Sequence, residues 1–415
     1  VQFSINHTNA AATFAGNVNA PELRLQASGT TYLNIGNATT GSASTDGASI
    51  GYFTGQSSLQ IVQRENDAMV FSTNSDERMR IDAEGDIYNV NGYQSTFFGL
   101  DAGNIANQTG VRNAAFGYRA VENMTTGTDN IAVGYDAGND ITTGIGNTLI
   151  GSLVGDKITT GNDNIAIGRE AMPAVGVAVT QNIAIGYLTL RLANGDNNIA
   201  IGHLASYGGG TATTSNNVVI GGNAGQGRTA GQDNVIIGVA ASYGAGTGNN
   251  NTCVGRSSGQ ASTSANANTL IGHSTGNLIT TGELNTYVGM YSGANTGAAT
   301  SYNVALGYHS LRYATAAQNT AVGYYALGTS SNVSGELNTA VGIRSLEDVT
   351  SGSSNTGIGA DAGKSITTGS SNVSVGQGAG DSITDGNNNV AIGRLAYQAG
   401  SNNNNVVVGY QAGYS

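Results

Sequence analysis

From residue 95 onward the apolar and polar positions alternate within a five-residue unit that returns about every 17 residues. The unit is Asn, a β-branched residue, a mostly small residue, a large aliphatic and Gly. It reads Asn-Ile-Ala-Val-Gly at 130–134, Asn-Thr-Leu-Ile-Gly at 147–151, Asn-Ile-Ala-Ile-Gly at 164–168 and Asn-Val-Val-Val-Gly at 405–409. Eighteen copies begin with Asn, and a first, degenerate copy is Ser95-Thr-Phe-Phe-Gly99. A fixed short period is the mark of a solenoid, in which each repeat is one rung and only stacking buries a core. The predicted fold is therefore all-β: a β-solenoid or β-roll of about 19 rungs.

Side chains alternate across a strand, so positions two and four of the unit share one face. Position four is apolar in all 19 copies, and position two is Thr, Ile or Val in all but Ala114. That face is expected to be the inside of the coil. The predicted core is Val133, Ile150, Ile167, Ile185, Ile201, Ile220, Ile237, Ile271, Val322, Val341, Ile392 and Val408. Position three then points outward; being mostly Ala, with Leu149, Ile236, Leu270, Tyr287 and Val407, it reads as a contact with neighbouring chains. The Asn column is expected to hydrogen-bond from rung to rung through its amides. The Gly is expected at a corner where positive φ or close backbone approach excludes a Cβ. Many rungs close with Ile-Thr-Thr-Gly or similar (141–144, 158–161, 279–282, 366–369), which reads as a second short strand before a turn.

Residues 1–94 lack the repeat. Stretches such as Leu59-Gln-Ile-Val-Gln63, and the run from Met79 to Ile87 with a turn at Gly85, predict a small β-rich lead-in domain. The repeat shaft is expected to occupy 95–415. From Asn164 the Asn-to-Asn gaps run 18, 16, 19, 17, 17, 17, 17, and from Asn285 they run 18, 16, 19, 17, 17, 17, 16. A block of seven rungs reads as duplicated. At about 4.8 Å per rung the shaft would be roughly 90 Å long.

Composition agrees with a rod. Gly is 64 of 415 residues but Pro only 2, which excludes collagen. Hydrophobic residues at 39% are too many for a disordered chain. No apolar run is long enough to span a bilayer, so no membrane insertion is expected. The chain starts at Val1 without Met, which leaves room for a longer precursor. Net charge is −11, with −5 in residues 1–94 and −6 in the rest, and no basic stripe is present. Binding to nucleic acid is not expected.

The wording of the repeat carries a resemblance. Ile165-Ala-Ile-Gly168 and Ile183-Ala-Ile-Gly186 are similar to the head repeats of trimeric autotransporter adhesins. Asn-Thr-Ala-Val-Gly-Tyr at 319–324, Glu77-Arg-Met-Arg-Ile-Asp82 and Ala12-Thr-Phe-Ala-Gly-Asn-Val18 look still more like bacteriophage tail-fibre shafts of the kind associated with an endosialidase-type chaperone. The resemblance implies an intimate homotrimer and a structural fibre protein of a virion, extending toward or attaching to the host surface. Other tail proteins and a host glycan or protein receptor are the implied partners. The alternative is a cell-surface adhesin of the autotransporter type. An ice-binding solenoid would need a flat Thr-x-Thr array, and a polysaccharide depolymerase a cleft with paired acids.

Candidate chemistry is sparse. His203 and His273 share a column but lie four rungs apart, so they could bind metal only across a threefold axis. Asp136 with Asp140, Glu347 with Asp348 and Asp381 with Asp385 read as solvated turns rather than a glycosidase pair. Cys253 reads as a small packed residue. No catalytic residue, metal ligand or cofactor is assigned. Tyr118, Tyr135, Tyr187, Tyr308 and Tyr324 share the column after Gly with Tyr410; they are candidate glycan contacts, with packing between protomers as the competing reading.

Overall fold

The computed structural model describes the strands between residues 31 and 89 and most of 95–413, apart from short stretches at 104–108, 174–177, 192–194, 209–213, 245, 298, 329–331, 399 and 401. His7 and the stretch 12–18 lie outside the described residues. The chain divides into two units, Val1–Gly92 and Tyr93–Ser415.

The first unit holds two antiparallel three-stranded sheets. One orders β1 (Thr31–Ile35), β2 (Ala48–Tyr52) and β3 (Leu59–Gln63); the other orders β4 (Met69–Thr73), β5 (Asp76–Ile81) and β6 (Ile87–Asn89). The second unit is a parallel β-solenoid. Its 19 three-residue strands, β7 (Thr96–Phe98) to β25 (Val406–Val408), are positions two to four of successive repeat units. Each strand pairs in register with the next: Thr148, Leu149 and Ile150 of β10 lie on Ile131, Ala132 and Val133 of β9. A three-residue strand has almost no stability alone, so the stack is what stabilises each rung.

The two faces of these strands are the reverse of the sequence expectation. Position three is inside: Ala132, Leu149, Ala166, Ile236, Leu270 and Tyr287 are buried. Of the residues expected in the core, Val133, Ile150, Ile167, Ile271, Val341, Ile392 and Val408 are exposed on the outside of the coil. Ile185, Ile201, Ile220, Ile237 and Val322 are only half-buried there. The cause is the width of the coil. The interior is filled by position three, by the small residue after the Gly (Ala120, Ala137, Val154, Ala171) and by the apolar residue that opens the Thr-Thr turn (Met124, Ile141, Ile158). Two facing rows of Ile and Val would not fit, and the large rows are left outside.

Strand parity puts position one on the same inward side. The Asn residues are buried from Asn113 to Asn389, and every one from Asn130 to Asn405 donates its backbone N–H to the Oδ1 of the Asn one rung earlier. At Asn164 that bond is 3.1 Å, and Nδ2 adds bonds to Asn147 Oδ1 (2.9 Å) and the Val179 carbonyl (2.8 Å). Ser95 starts the column by accepting from the Asn113 N–H through Oγ. Interior amides are thereby satisfied without water.

The closing Gly does need to be glycine. All 19 have φ between 123° and 141°. A Cβ on Gly134 would lie 2.2 Å from the Gly151 carbonyl oxygen. The Ile-Thr-Thr-Gly segment, by contrast, is not a strand. The N–H groups of Thr125, Thr126 and Gly127 all converge on the Thr142 carbonyl. An extended strand cannot aim three successive amides at one acceptor.

Three interior positions depart from the pattern. Arg228 stands in the column that Ile141, Ile158 and Ile279 fill elsewhere; its guanidinium donates to the Gly248 carbonyl (2.6 Å) and Ser242 Oγ (3.1 Å). Tyr287 is wholly buried beside Gly293, where a Cβ would come within 2.3 Å of the ring. Cys253 is a free, buried thiol, and burial pushes its pKa up to about 12, so it is an inert packing residue.

Candidate binding surface

The two residues after each Gly lie on the outer corner of the coil. The second adopts the left-handed region even when it is not glycine, as at Asp136 (φ 50°), Leu188 (φ 52°) and Tyr291 (φ 58°). Successive rungs therefore hold these side chains in two close columns, and side chains one rung apart touch.

The first column contains the candidate tyrosines. Tyr118 and Tyr135 stack with ring centroids 5.5 Å apart, and Tyr308 and Tyr324 do the same at 5.5 Å. Tyr187 is not joined to either pair; it tilts against His203 at 5.6 Å and lies under Arg169. Tyr410 is exposed beside Arg394.

The second column supplies residues that the reading of the first column missed. Tyr291, His309 and Tyr325 occupy it on three consecutive rungs and join Tyr308 and Tyr324 in a continuous array. His309 stacks on Tyr308 at 4.0 Å, Tyr291 meets His309 edge-on at 5.1 Å, and Tyr325 packs on His309 at 4.8 Å and Tyr324 at 4.7 Å. His273 touches the far side of Tyr291 at 5.4 Å. Arg312 bonds His309 Nδ1 at 3.1 Å and lies over the rings of Tyr291 and Tyr313. Burial, and then the charge of Arg312, lower the His309 pKa, so that ring is neutral at neutral pH. The signal available in the sequence was aromatic recurrence at the second residue after Gly.

The acids fall into turns with local partners. Asp140 pairs with Lys157 (3.0 Å), Arg119 lies between Glu122 (2.5 Å) and Asp136 (3.7 Å), and Arg344 forms an ion pair with Asp361 (2.8 Å) and reaches Glu347 (4.0 Å). Asp381 accepts from Ser365 Oγ. Asp156 is the outlier. Its Oδ1 is buried without a hydrogen-bond partner, and burial raises its pKa to about 6 despite Lys157. Glu347 is also raised, by burial first and then by Asp348. Among the described residues, no three His, Cys, Asp or Glu side chains gather in a way that could hold a metal ion, and no helix is long and apolar enough to cross a membrane.

The largest continuous feature is on the strand face. Position four forms an apolar row along all 19 strands, and position two a parallel row of Ile, Val and Thr; among them are Ile131 (44% exposed), Ile165 (38%), Ile358 (43%) and Val406 (75%). Phe98 and Phe116 stack at its start, 6.0 Å apart. No protein family, no curated protein and no solved structure matches the chain.

Proposed function

We propose that the chain is the shaft of a phage tail fibre, a non-catalytic structural protein that assembles as a homotrimer and extends toward the host surface. One observation supports this most directly: the unbroken apolar row of position four on the outside of the coil, flanked by a row of Thr, Ile and Val at position two. Position four alone, about 60 Å² of exposed side chain on each rung, amounts to an apolar surface on the order of 1,000 Å². Soluble monomers rarely leave that much exposed, and about 800 Å² per partner suffices for a stable association. Three copies, the number that the resemblance to fibre shafts implies, would turn the rows toward a shared axis and remove them from water together. Trimerisation thus moves from position three, where the sequence put it, to positions two and four. A rod of identical rungs without a gathered set of catalytic groups suits spacing and attachment better than turnover. The test is sedimentation equilibrium of the purified chain at micromolar concentration. The expected mass is three times 41.7 kDa; a monodisperse monomer would sink the proposal.

A further inference from the structure

The duplicated blocks offer an internal comparison. Rungs from Asn164 and rungs from Asn285 have the same spacing, so their corners correspond. The first block carries Arg169-Glu170, Tyr187-Leu188 and His203-Leu204 where the second carries Met290-Tyr291, Tyr308-His309 and Tyr324-Tyr325. The backbone is the same in both: φ is 53°, 52° and 55° at Glu170, Leu188 and Leu204, and 58°, 57° and 55° at Tyr291, His309 and Tyr325. The coil therefore makes no demand for rings at these places, yet the second block has five in mutual contact.

The ring planes are not all parallel. Tyr291 and Tyr325 are turned 78° and 59° from Tyr308, so faces and hydroxyl edges are both presented. Arg312 borders the array. Among the described residues it has no carboxylate partner, whereas Arg112, Arg119, Arg344 and Lys157 each have one. In a chain of net charge −11, a guanidinium bonded to a neutral imidazole, with no carboxylate partner and set among aromatic rings, complements an anion.

We propose that Tyr291, Tyr308, Tyr324, Tyr325 and Arg312, with the buried His309 packed among them, form a saccharide-binding subsite that takes a sugar bearing a carboxylate. Ring faces suit the apolar faces of a pyranose, tyrosine hydroxyls suit its hydroxyl groups, and the guanidinium suits its carboxylate. The inference deepens the attachment reading and rests on it for its biological setting.

The experiment is calorimetric titration of the full chain with tetragalacturonate, with tetrameric α2,8-sialic acid and with neutral maltotetraose. Tyrosine emission serves as a second readout, since the chain has no Trp. The expected result is binding of at least one acidic tetrasaccharide with Kd below about 1 mM. It should weaken about tenfold or more in Tyr291→Glu/His309→Leu/Tyr325→Leu, which installs the residues that the first block already folds with. Arg312→Gln should abolish the preference for acidic over neutral sugar. The inference is overturned if neither acidic sugar binds, if maltotetraose binds equally well, or if the triple variant binds unchanged. Sedimentation of the same samples keeps the two proposals apart. A trimer that binds no acidic sugar overturns this one alone, and a monomer that binds overturns the trimeric shaft alone.

Discussion

Inside the coil position three is Ala in nine of the 19 strands; outside they carry Ile, Val, Leu and Phe at position four. The larger apolar side chains are thus on the wetter side of the isolated chain. Burial of apolar area stabilises at about 25 cal/mol per Å², so a chain selected to stand alone would place its bulk inside. The interior column is narrow because Asn, Gly and Ala let successive rungs close tightly. The exterior rows have the volume and continuity of a core whose second half is supplied by another surface. In the trimer proposed above, stability of the coil and stability of the assembly would be carried by neighbouring residues on opposite faces of one strand.

Leu149 and Ile150 are the sharpest pair with which to break that contrast. Leu149→Asp buries a charge in the coil and should cost more than about 4 kcal/mol, read as lost amide protection in the rungs from 130 to 168. Ile150→Asp should leave that protection within about 0.5 kcal/mol in the dilute monomer while lowering the assembly constant at least tenfold by sedimentation. Reversed outcomes would mean that the faces have been assigned the wrong way round. Next in size is Asn164→Leu, which strands the Val179 carbonyl and the Asn182 N–H and should cost about 2–4 kcal/mol. The half-buried Asn162, whose Oδ1 accepts the Ile145 N–H at the surface, should cost under about 1 kcal/mol when changed to Ala. Equal effects of the two on chemical denaturation would refute a special role for the inner column.

A pH-dependent effect lies on the border between inside and outside. Asp156 has a pKa of about 6, raised by burial above the ordinary carboxylate value near 4. The folded chain therefore binds an extra proton between those values, and stability falls as pH rises from about 4 through about 6. Asp156→Asn, the residue that Asn139 supplies one rung earlier, should raise stability at pH 7 by about 1–2 kcal/mol and flatten this slope. Melting curves at pH 4.5 and pH 7 check both the sign and the size.

Much of the architecture was legible. Three apolar-leaning positions between Asn and Gly, repeated 19 times, define strands β7 to β25, and Asn stacking follows from its column. The inward face was misread because the size of the apolar residue was given more weight than strand parity. Asn130 and Ala132 share a face, and a dry amide ladder belongs inside; that parity was available in the sequence. The left-handed corner residues were less visible. Asp129, Asp163, Asn197 and Asp233, just before the motif Asn, are of types that tolerate positive φ. Leu153, Leu188 and Tyr291 are not, and their conformation is imposed by the rungs above and below. The same imposition kept the second aromatic column out of view, since nothing local to Tyr291, His309 and Tyr325 predicts that they meet.

The Asn column also has a direction. Each backbone N–H reaches back to an Oδ1 that belongs to an earlier part of the chain, and Ser95 offers the first acceptor. During synthesis the earlier part emerges first. Every new rung then finds its template in place, and the coil can grow behind the ribosome like a zip drawn one way, with no need to wait for its far end.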